Sequence, residues 1–344
     1  MNFLACDLGG TKVLLGIFER VINDDSPKLL FKKKYISSDW DSFELILEDF
    51  LKNECKNITH PSSACFAVAG PLSNNNAKII NLSWNISGNA LQNKFNFKRC
   101  ELINDFAVQI YGIPFLKKNQ YSTIQNGSHS EGANNDLHAI VGAGTGLGIA
   151  RGIISGEKVK VLASEGGHVE YSPKSKLEWE LKIWLKNYLK VERISCERII
   201  SGTGLSRIAE WRLSKPDAQN HPLQKYLKEI KIFDAARKEL PEKICTLSSE
   251  GDQLMIEVER IWLGAYASLL GDVALQELCF GGLWISGGTA PKHFKNFKSD
   301  LFMKQFFDKG RLKDILKTIP MKVILDEEFG LFSAACRAKM LLKT

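Results

Sequence analysis

Phe3-Leu4-Ala5-Cys6-Asp7-Leu8-Gly9-Gly10-Thr11-Lys12-Val13-Leu14-Leu15-Gly16-Ile17-Phe18 opens the chain as an apolar run that ends in an acid, a glycine pair, and a second apolar run. Alternation bounded by Gly9-Gly10 predicts a strand over Phe3 to Asp7, a tight turn, and a strand over Val13 to Phe18. The same device returns at HAIVGAGTGLGIARGII, His138 to Ile154. Either turn alone reads equally well as a plain hairpin. Two copies in one chain say more than one.

Working outward, a polar tip at Asn23 to Lys28 and a third strand at Leu29 to Ile36 should follow the first hairpin. Phe43, Ile46, Leu47 and Phe50 share one face of a predicted helix over Asp41 to Lys52. Short buried strands are expected at Cys65 to Ala69 and at Glu101 to Ile103, the latter ending at Asn104-Asp105. Lys117 to Asp136 is polar and aperiodic, which marks a long connection and a crossing between domains. Helices are predicted over Leu177 to Leu189 and over Gln253 to Leu278, where Val258, Trp262, Ala265, Leu269 and Val273 recur at helical spacing. Leu283 to Ser286 then reads as a strand entering a turn at Gly287-Gly288.

A chain of 344 residues, 44% hydrophobic and 25% charged, can bury two cores, so two domains are expected. The net charge of +7 is spread over the chain without a basic block, and no nucleic-acid surface is indicated. Eight cysteines without a CxxC pair argue against a zinc knuckle or a disulfide framework and fit a reducing cytoplasm. The six histidines show neither an i, i+4 pair nor cysteines at ligand spacing, so a histidine metal site is not expected. MNFLAC resembles a lipoprotein cleavage box, but no basic or apolar region precedes Cys6, and no secretion signal is expected. Acids and Arg260 interrupt the most apolar stretch, Ile256 to Leu278, so no membrane association is expected.

Phosphate held by backbone N–H groups calls for glycine, since a Cβ blocks close approach. Asp7-Leu8-Gly9-Gly10-Thr11-Lys12 and Gly142-Ala143-Gly144-Thr145-Gly146-Leu147-Gly148 both meet that demand, each with a threonine hydroxyl added. Asp7 can hold Mg²⁺ or one of its waters at the strand end. There is no G-x-x-x-x-G-K-[ST], and Leu147 stands where a dinucleotide fingerprint needs its third glycine, which disfavours hydride chemistry. Asn104 and Asp105 follow a strand, where open α/β sheets bind ligands, and Asp105 could take a hydroxyl proton; the same pair also suits a helix N-cap before Phe106. Glu165-Gly166-Gly167-His168 sets a carboxylate and an imidazole where both can reach one polar ligand, although His168 alone reads as a structural histidine. Glu197 by itself reads as a surface charge.

Taken in order, DLGGTK, INDF, GAGTGLG, SEGGHVE, CERIISGTGL and WISGG resemble the bacterial glucokinases of the group lacking the zinc-binding cysteine motif, nearly end to end. The tail from Phe307 to Ala335 is similar to that family as well. The resemblance implies a two-domain actin-like ATPase (ribonuclease-H-like) α/β fold with its active site in the interdomain cleft, the small domain formed by 1–115 and 323–344 and the large one by 116–322. It implies transfer of the γ-phosphoryl group of ATP, with Mg²⁺, to the 6-hydroxyl of glucose. Asp105 would be the catalytic base, and Asn104, Glu165, His168 and Glu197 would hold the sugar hydroxyls, with Asn81 and Trp84 approaching from the small domain. ATP phosphates would meet Asp7, Gly9, Gly10, Thr11, Lys12, Gly142, Gly144, Thr145 and Gly146, and adenosine would lie near Gly287 and Gly288. A cytoplasmic homodimer is expected.

Other classes fit the residues less well. A kinase for another hexose or an N-acylated amino sugar needs the same groups. A sugar-sensing repressor would need a helix-turn-helix before Asp7, where there is no room for one. An actin-type assembly protein would not need the acids of EGGH and INDF.

Overall fold

In the computed structural model, which describes residues 1–21, 24–79, 82–128, 136–162, 164–230 and 239–342, alternation along β1 (Asn2–Leu8) organises the first unit. Leu4, Cys6 and Leu8 point to one face, where they meet Phe43, Ile46, Leu47 and Phe50. Phe3 and Ala5 point to the other and meet Leu331, Ala334, Ala335 and Ala338 of the C-terminal helix Phe329–Met340. Period two in the strand and period 3.6 in both helices put these apolar groups together.

That unit comprises Met1–Tyr121, Ala150–Ser164 and Asp326–Thr344. Its main sheet is built from β1, β2 (Lys12–Val21), β3 (Asp24–Ile36), β4 (Ser63–Val68) and, after the small strands β5 (Leu72–Ser73), β6 (Asn76–Ile79) and β7 (Trp84–Ser87), β8 (Arg99–Asn104). The order is β3-β2-β1-β4-β8, and β5-β6-β7 form a sheet of their own. β1 pairs antiparallel with β2 and parallel with β4, which pairs parallel with β8. The register aligns Leu8 with Val68 and Val68 with Asn104, so three parallel strands end level at one carboxyl edge.

The expected polar tip from Asn23 to Lys28 is mostly strand, because β3 starts at Asp24. Among the described residues no strand pairs with β3 on its outer side, an edge position that tolerates Pro27. Ser42 caps the first helix by accepting the Leu45 N–H, so that helix begins at Phe43, not Asp41. Arg337 grips Glu101 through two hydrogen bonds of 2.5 and 3.0 Å and pins the C-terminal helix to β8.

The second unit comprises Ser122–Ile149 and Glu165–Leu325. Its strands are β9 (Tyr121–Gln125), β10 (Leu137–Ala143), the start of β11 (Leu147–Ser155), β13 (Gly282–Ser286) and β14 (Met321–Ile324). They run in the order β11-β10-β13-β14-β9, while β12 (Lys158–Leu162) forms a hairpin with the far half of β11 in the first unit. β10 and β13 are parallel, with Gly142 opposite Ser286. β9 lies within the stretch read as a long polar connection. The helix Gln253–Glu277 buries Val258, Trp262, Ala265, Leu269 and Val273 as its spacing predicted. Asp252 caps it by accepting the Met255 N–H at 2.9 Å. Among the described residues no helix is long and apolar enough to cross a membrane.

Candidate active site

In the first unit the candidate residues gather at the carboxyl edge of β1, β4 and β8. The Gly9 N–H donates to the Lys12 carbonyl at 3.0 Å and closes the turn, leaving Thr11 and Lys12 exposed and Gly9 and Gly10 half-buried. Lys34, two pairs along β3 from the turn, stands beside Lys12 and holds its ammonium pKa below the ordinary value. Two like charges kept close attract an anion. The lysines before Lys34 are already matched, Lys32 to Glu328 and Lys33 to Asp49 and Glu54. Sequence reading had not singled out Lys34, because only the β2–β3 register brings it to Lys12.

Asp7 shares the β1 face of Phe3 and Ala5 and lies under the start of the C-terminal helix, with Oδ2 3.4 Å from where a Cβ of Gly330 would stand. Desolvation there raises its pKa, and among the described residues no cation offsets it. A carboxylate so placed fits a cation bound through water.

Asp105 and Asn104 stand at the end of β8, both half-buried. The Asp105 N–H donates to the Val68 carbonyl at 3.1 Å, and Asn104 Oδ1 accepts from the N–H groups of Phe106 and Ala107 at 2.9 and 3.0 Å. These bonds close a turn over Asp105 to Val108, and the helix Gln109–Gly112 beyond it is capped by Val108 without a side-chain bond, so Asn104 is not its N-cap; its amide oxygen is occupied and its Nδ2 remains the end that could donate to a ligand. Trp84 is only 5% exposed and belongs to the apolar core of this unit, not to an open wall. Asn81 lies outside the described residues. A pocket of about 410 Å³ opens on β5-β6-β7 beside Asn76, Lys78 and Asn85, but no carboxylate or imidazole lines it.

In the second unit three segments close on the end of β10. Gly144 N–H donates to the Gly146 carbonyl at 2.8 Å, forming the turn, and Gly202 N–H donates to the Gly144 carbonyl at 2.8 Å. Gly202 starts the helix Gly202–Leu213, capped by Ser201 Oγ, which accepts the Gly204 N–H at 2.9 Å. The positive end of that helix thus faces the turn, and Thr203 Oγ1 donates to the Thr145 carbonyl at 3.3 Å. Thr289 donates from both its N–H and its hydroxyl to the Ala143 carbonyl, at 3.2 and 2.7 Å. Gly287 turns this loop at φ +87°, with a would-be Cβ 2.6 Å from the Ala143 carbonyl oxygen; no other residue type fits there. Gly288 and Thr145 are exposed, whereas Gly142 is a buried strand residue. Positive φ is not what the turn glycines supply. At Gly144 a Cβ would meet nothing, and at Gly146 it would meet a carboxylate.

That carboxylate belongs to Glu197. Its Oε2 accepts the Leu147 N–H, and its Oε1 lies 4.0 Å from His168 Nδ1. Glu165 Oε2 lies 3.9 Å from His168 Nε2 on the other side of the ring. Gly167 seats the EGGH turn, since a Cβ there would fall 2.1 Å from the Leu147 carbonyl oxygen. Two acids and an imidazole therefore converge, and Glu197, which alone reads as a surface charge, is the residue joining them to the glycine turn. A pocket of about 520 Å³ opens beside His168 and Glu197, walled by Arg193, Arg198 and Arg207. Such a set of acceptors and donors suits vicinal hydroxyls, which both give and take hydrogen bonds.

Known proteins resemble this chain over nearly its whole length. A family model described as glucokinase matches residues 4–341. A glucokinase from Synechocystis sp. is 36% identical, with 98% of each chain covered. The crystal structure of a glucokinase from an Antarctic psychrotroph is 26% identical with a TM-score of 0.79, covering 98% of this chain and 99% of that one. A ROK family glucokinase from Streptomyces griseus, solved in complex with glucose and AMPPNP, is 18% identical with a TM-score of 0.61 over 99% of this chain and all of that one, and shares the fold. Sequence and architecture together carry the two-domain actin-like ATPase fold and an ATP-dependent sugar kinase activity, and the chain belongs to the glucokinase family.

Proposed function

We propose that the chain transfers the γ-phosphoryl group of ATP to the 6-hydroxyl of glucose, giving glucose 6-phosphate and ADP, with Asp105 as general base. The family match over residues 4–341 carries this reading. The convergence of Glu165, His168 and Glu197 supports its carbohydrate half.

In-line phosphoryl transfer asks a protein mainly for position and charge, because the transition state is loose. The turns at Gly9 to Thr11 and Gly144 to Gly146 offer N–H groups and threonine hydroxyls to the phosphates, and the Lys12–Lys34 pair adds positive charge. Gly287 and Gly288 border the adenosine. Asn104, Glu165, His168 and Glu197 orient the sugar hydroxyls, and Asp105 accepts the 6-hydroxyl proton late in the transfer. Asp7, in keeping with its desolvated carboxylate, would hold Mg²⁺ or one of its waters, and the ion would supply neutralising charge to the phosphates. Eight unpaired thiols suit a reducing cytoplasm, where the chain works as a homodimer.

The test is ADP release in a coupled assay with a panel of hexoses and N-acylated amino sugars. Glucose should give the highest kcat/KM. Release no faster than with water as acceptor, or a better hexose, overturns the proposal.

A further inference from the structure

Cys245, Glu259 and His293 are 14 and 34 residues apart in sequence, so no local spacing reveals them, yet the second unit brings them together. One ligand atom from each, the thiol sulfur, a carboxylate oxygen and a ring nitrogen, lie within 4.8 Å of one another. Cys245 comes from the helix Leu240–Ser249, Glu259 from Gln253–Glu277, and His293 from the turn before Phe294–Phe297. Cys245 Sγ is 3.9 Å from His293 Nε2, and His293 Nδ1 is 3.6 Å from Glu259 Oε1.

The surroundings are apolar and close-fitting. His293 is 4% exposed and packs on the Trp262 ring at 4.8 Å between centroids. The Glu259 side chain is 14% exposed; it accepts the Ser248 hydroxyl at 2.5 Å, and no lysine or arginine pairs with it among the described residues. Neutral imidazole and thiolate are the forms that ligate metals, so binding here would release the Cys245 proton. Of the eight cysteines seven are buried, and Cys245 is the half-buried one.

We infer that Cys245, Glu259 and His293 form a binding site for a zinc-class divalent cation, separate from the kinase centre. Sulfur, nitrogen and oxygen together match a borderline-soft ion and not Mg²⁺, which takes oxygen alone. Zinc bonds of about 2.0–2.3 Å set neighbouring ligand atoms roughly 3.3–3.7 Å apart, so from a spread of 4.8 Å the side chains must close by up to about 1.5 Å on whichever ring nitrogen of His293 takes the ion. The thiol proton leaves to solvent as the sulfur–metal bond forms. Three protein ligands leave a fourth position for water, which makes the ion exchangeable. Since the His293 N–H donates to the Thr289 carbonyl, the bound ion would tie two helices to the loop that carries Gly287 and Gly288.

The probe is Co²⁺ titrated into the whole wild-type chain after chelator treatment, read by absorption. One equivalent should produce a near-ultraviolet thiolate-to-cobalt band, and added Zn²⁺ should abolish it. Cys245→Ser should lose the band, and His293→Gln should weaken Co²⁺ binding by more than the ~10–100-fold that follows loss of an outer-shell partner. No thiolate band in the wild-type chain, or a band that survives Cys245→Ser, overturns the inference. The wild-type titration stands even if a variant fails to fold.

Discussion

Glu197 Oε2 accepts the Leu147 N–H at 3.1 Å and stands 2.5 Å from the point a Cβ on Gly146 would occupy. The acid proposed for the sugar and the turn proposed for the phosphates are therefore one assembly, and a change in either should disturb both substrates. Gly146→Ala must push Glu197 away and deprive the Leu147 N–H of its acceptor. A displacement of about 1 Å at a reacting centre can cost ~10²-fold, so kcat/KM should fall by about that factor with the fold retained. Steady-state kinetics beside thermal melting checks this, and wild-type kinetics would break the link.

Asp105→Asn keeps the shape and size of the side chain but cannot accept a proton. It should lower kcat by at least ~10²-fold while ATP still binds. Kinetics together with calorimetric titration of ATP separates the two effects; a near-normal kcat removes Asp105 from the proposed role.

Glu165 is 75% exposed at its side chain, so its replacement should cost the fold little. Glu165→Gln should raise the glucose KM by roughly 10-fold, the scale of a lost charged hydrogen bond, with the ATP KM nearly unchanged. An unchanged glucose KM would contradict its assignment to the sugar.

Trp84→Phe should lower the melting temperature and leave the glucose KM alone, because Trp84 is packed into the first unit's core. Trp84→Ala should cost about 3–5 kcal/mol. A raised KM at unchanged stability would return Trp84 to the sugar site.

His138 gives a dependence on pH that does not involve catalysis. It accepts the Trp284 Nε1–H at 3.2 Å, and burial, helped by Lys322, depresses its pKa to about 4. The unfolded chain binds this proton first, so stability is full above about pH 6.5 and is lost as pH falls towards 4. The loss should reach about 3 kcal/mol, and His138→Gln should flatten that part of the profile in denaturant melts across pH 4–7. An equal slope in the variant would show that other groups set it.

What the sequence made legible was local. The two hairpins, the helix of Trp262 and the strands ending at Asn104 and Ser286 each carry their period and punctuation within a few residues. Register is less visible: Lys34 reaches Lys12 only because β3 pairs with β2 along its length. The edge position of β3 is a property of the whole sheet, which is why Pro27 and its neighbours misled the reading into a turn. Glu197 and His168, like Cys245 and His293, meet across tertiary contacts that spacing rules cannot express. Trp84 was assigned by likeness to a family motif, and only burial distinguishes a core tryptophan from one that touches ligand.

The C-terminal helix has a consequence for biosynthesis. Phe3, Ala5, Cys65 and Ala67 are synthesised before the second unit, and residues that cover them, Leu331 to Ala338, after it. Until Leu331 to Ala338 are made that sheet face lacks this cover, while every segment of the second unit has been synthesised by Leu325. A nascent chain stalled before residue 331 should thus present an unprotected sticky surface to chaperones and proteases, and shortening the tail should harm soluble yield far more than the few residues removed would suggest.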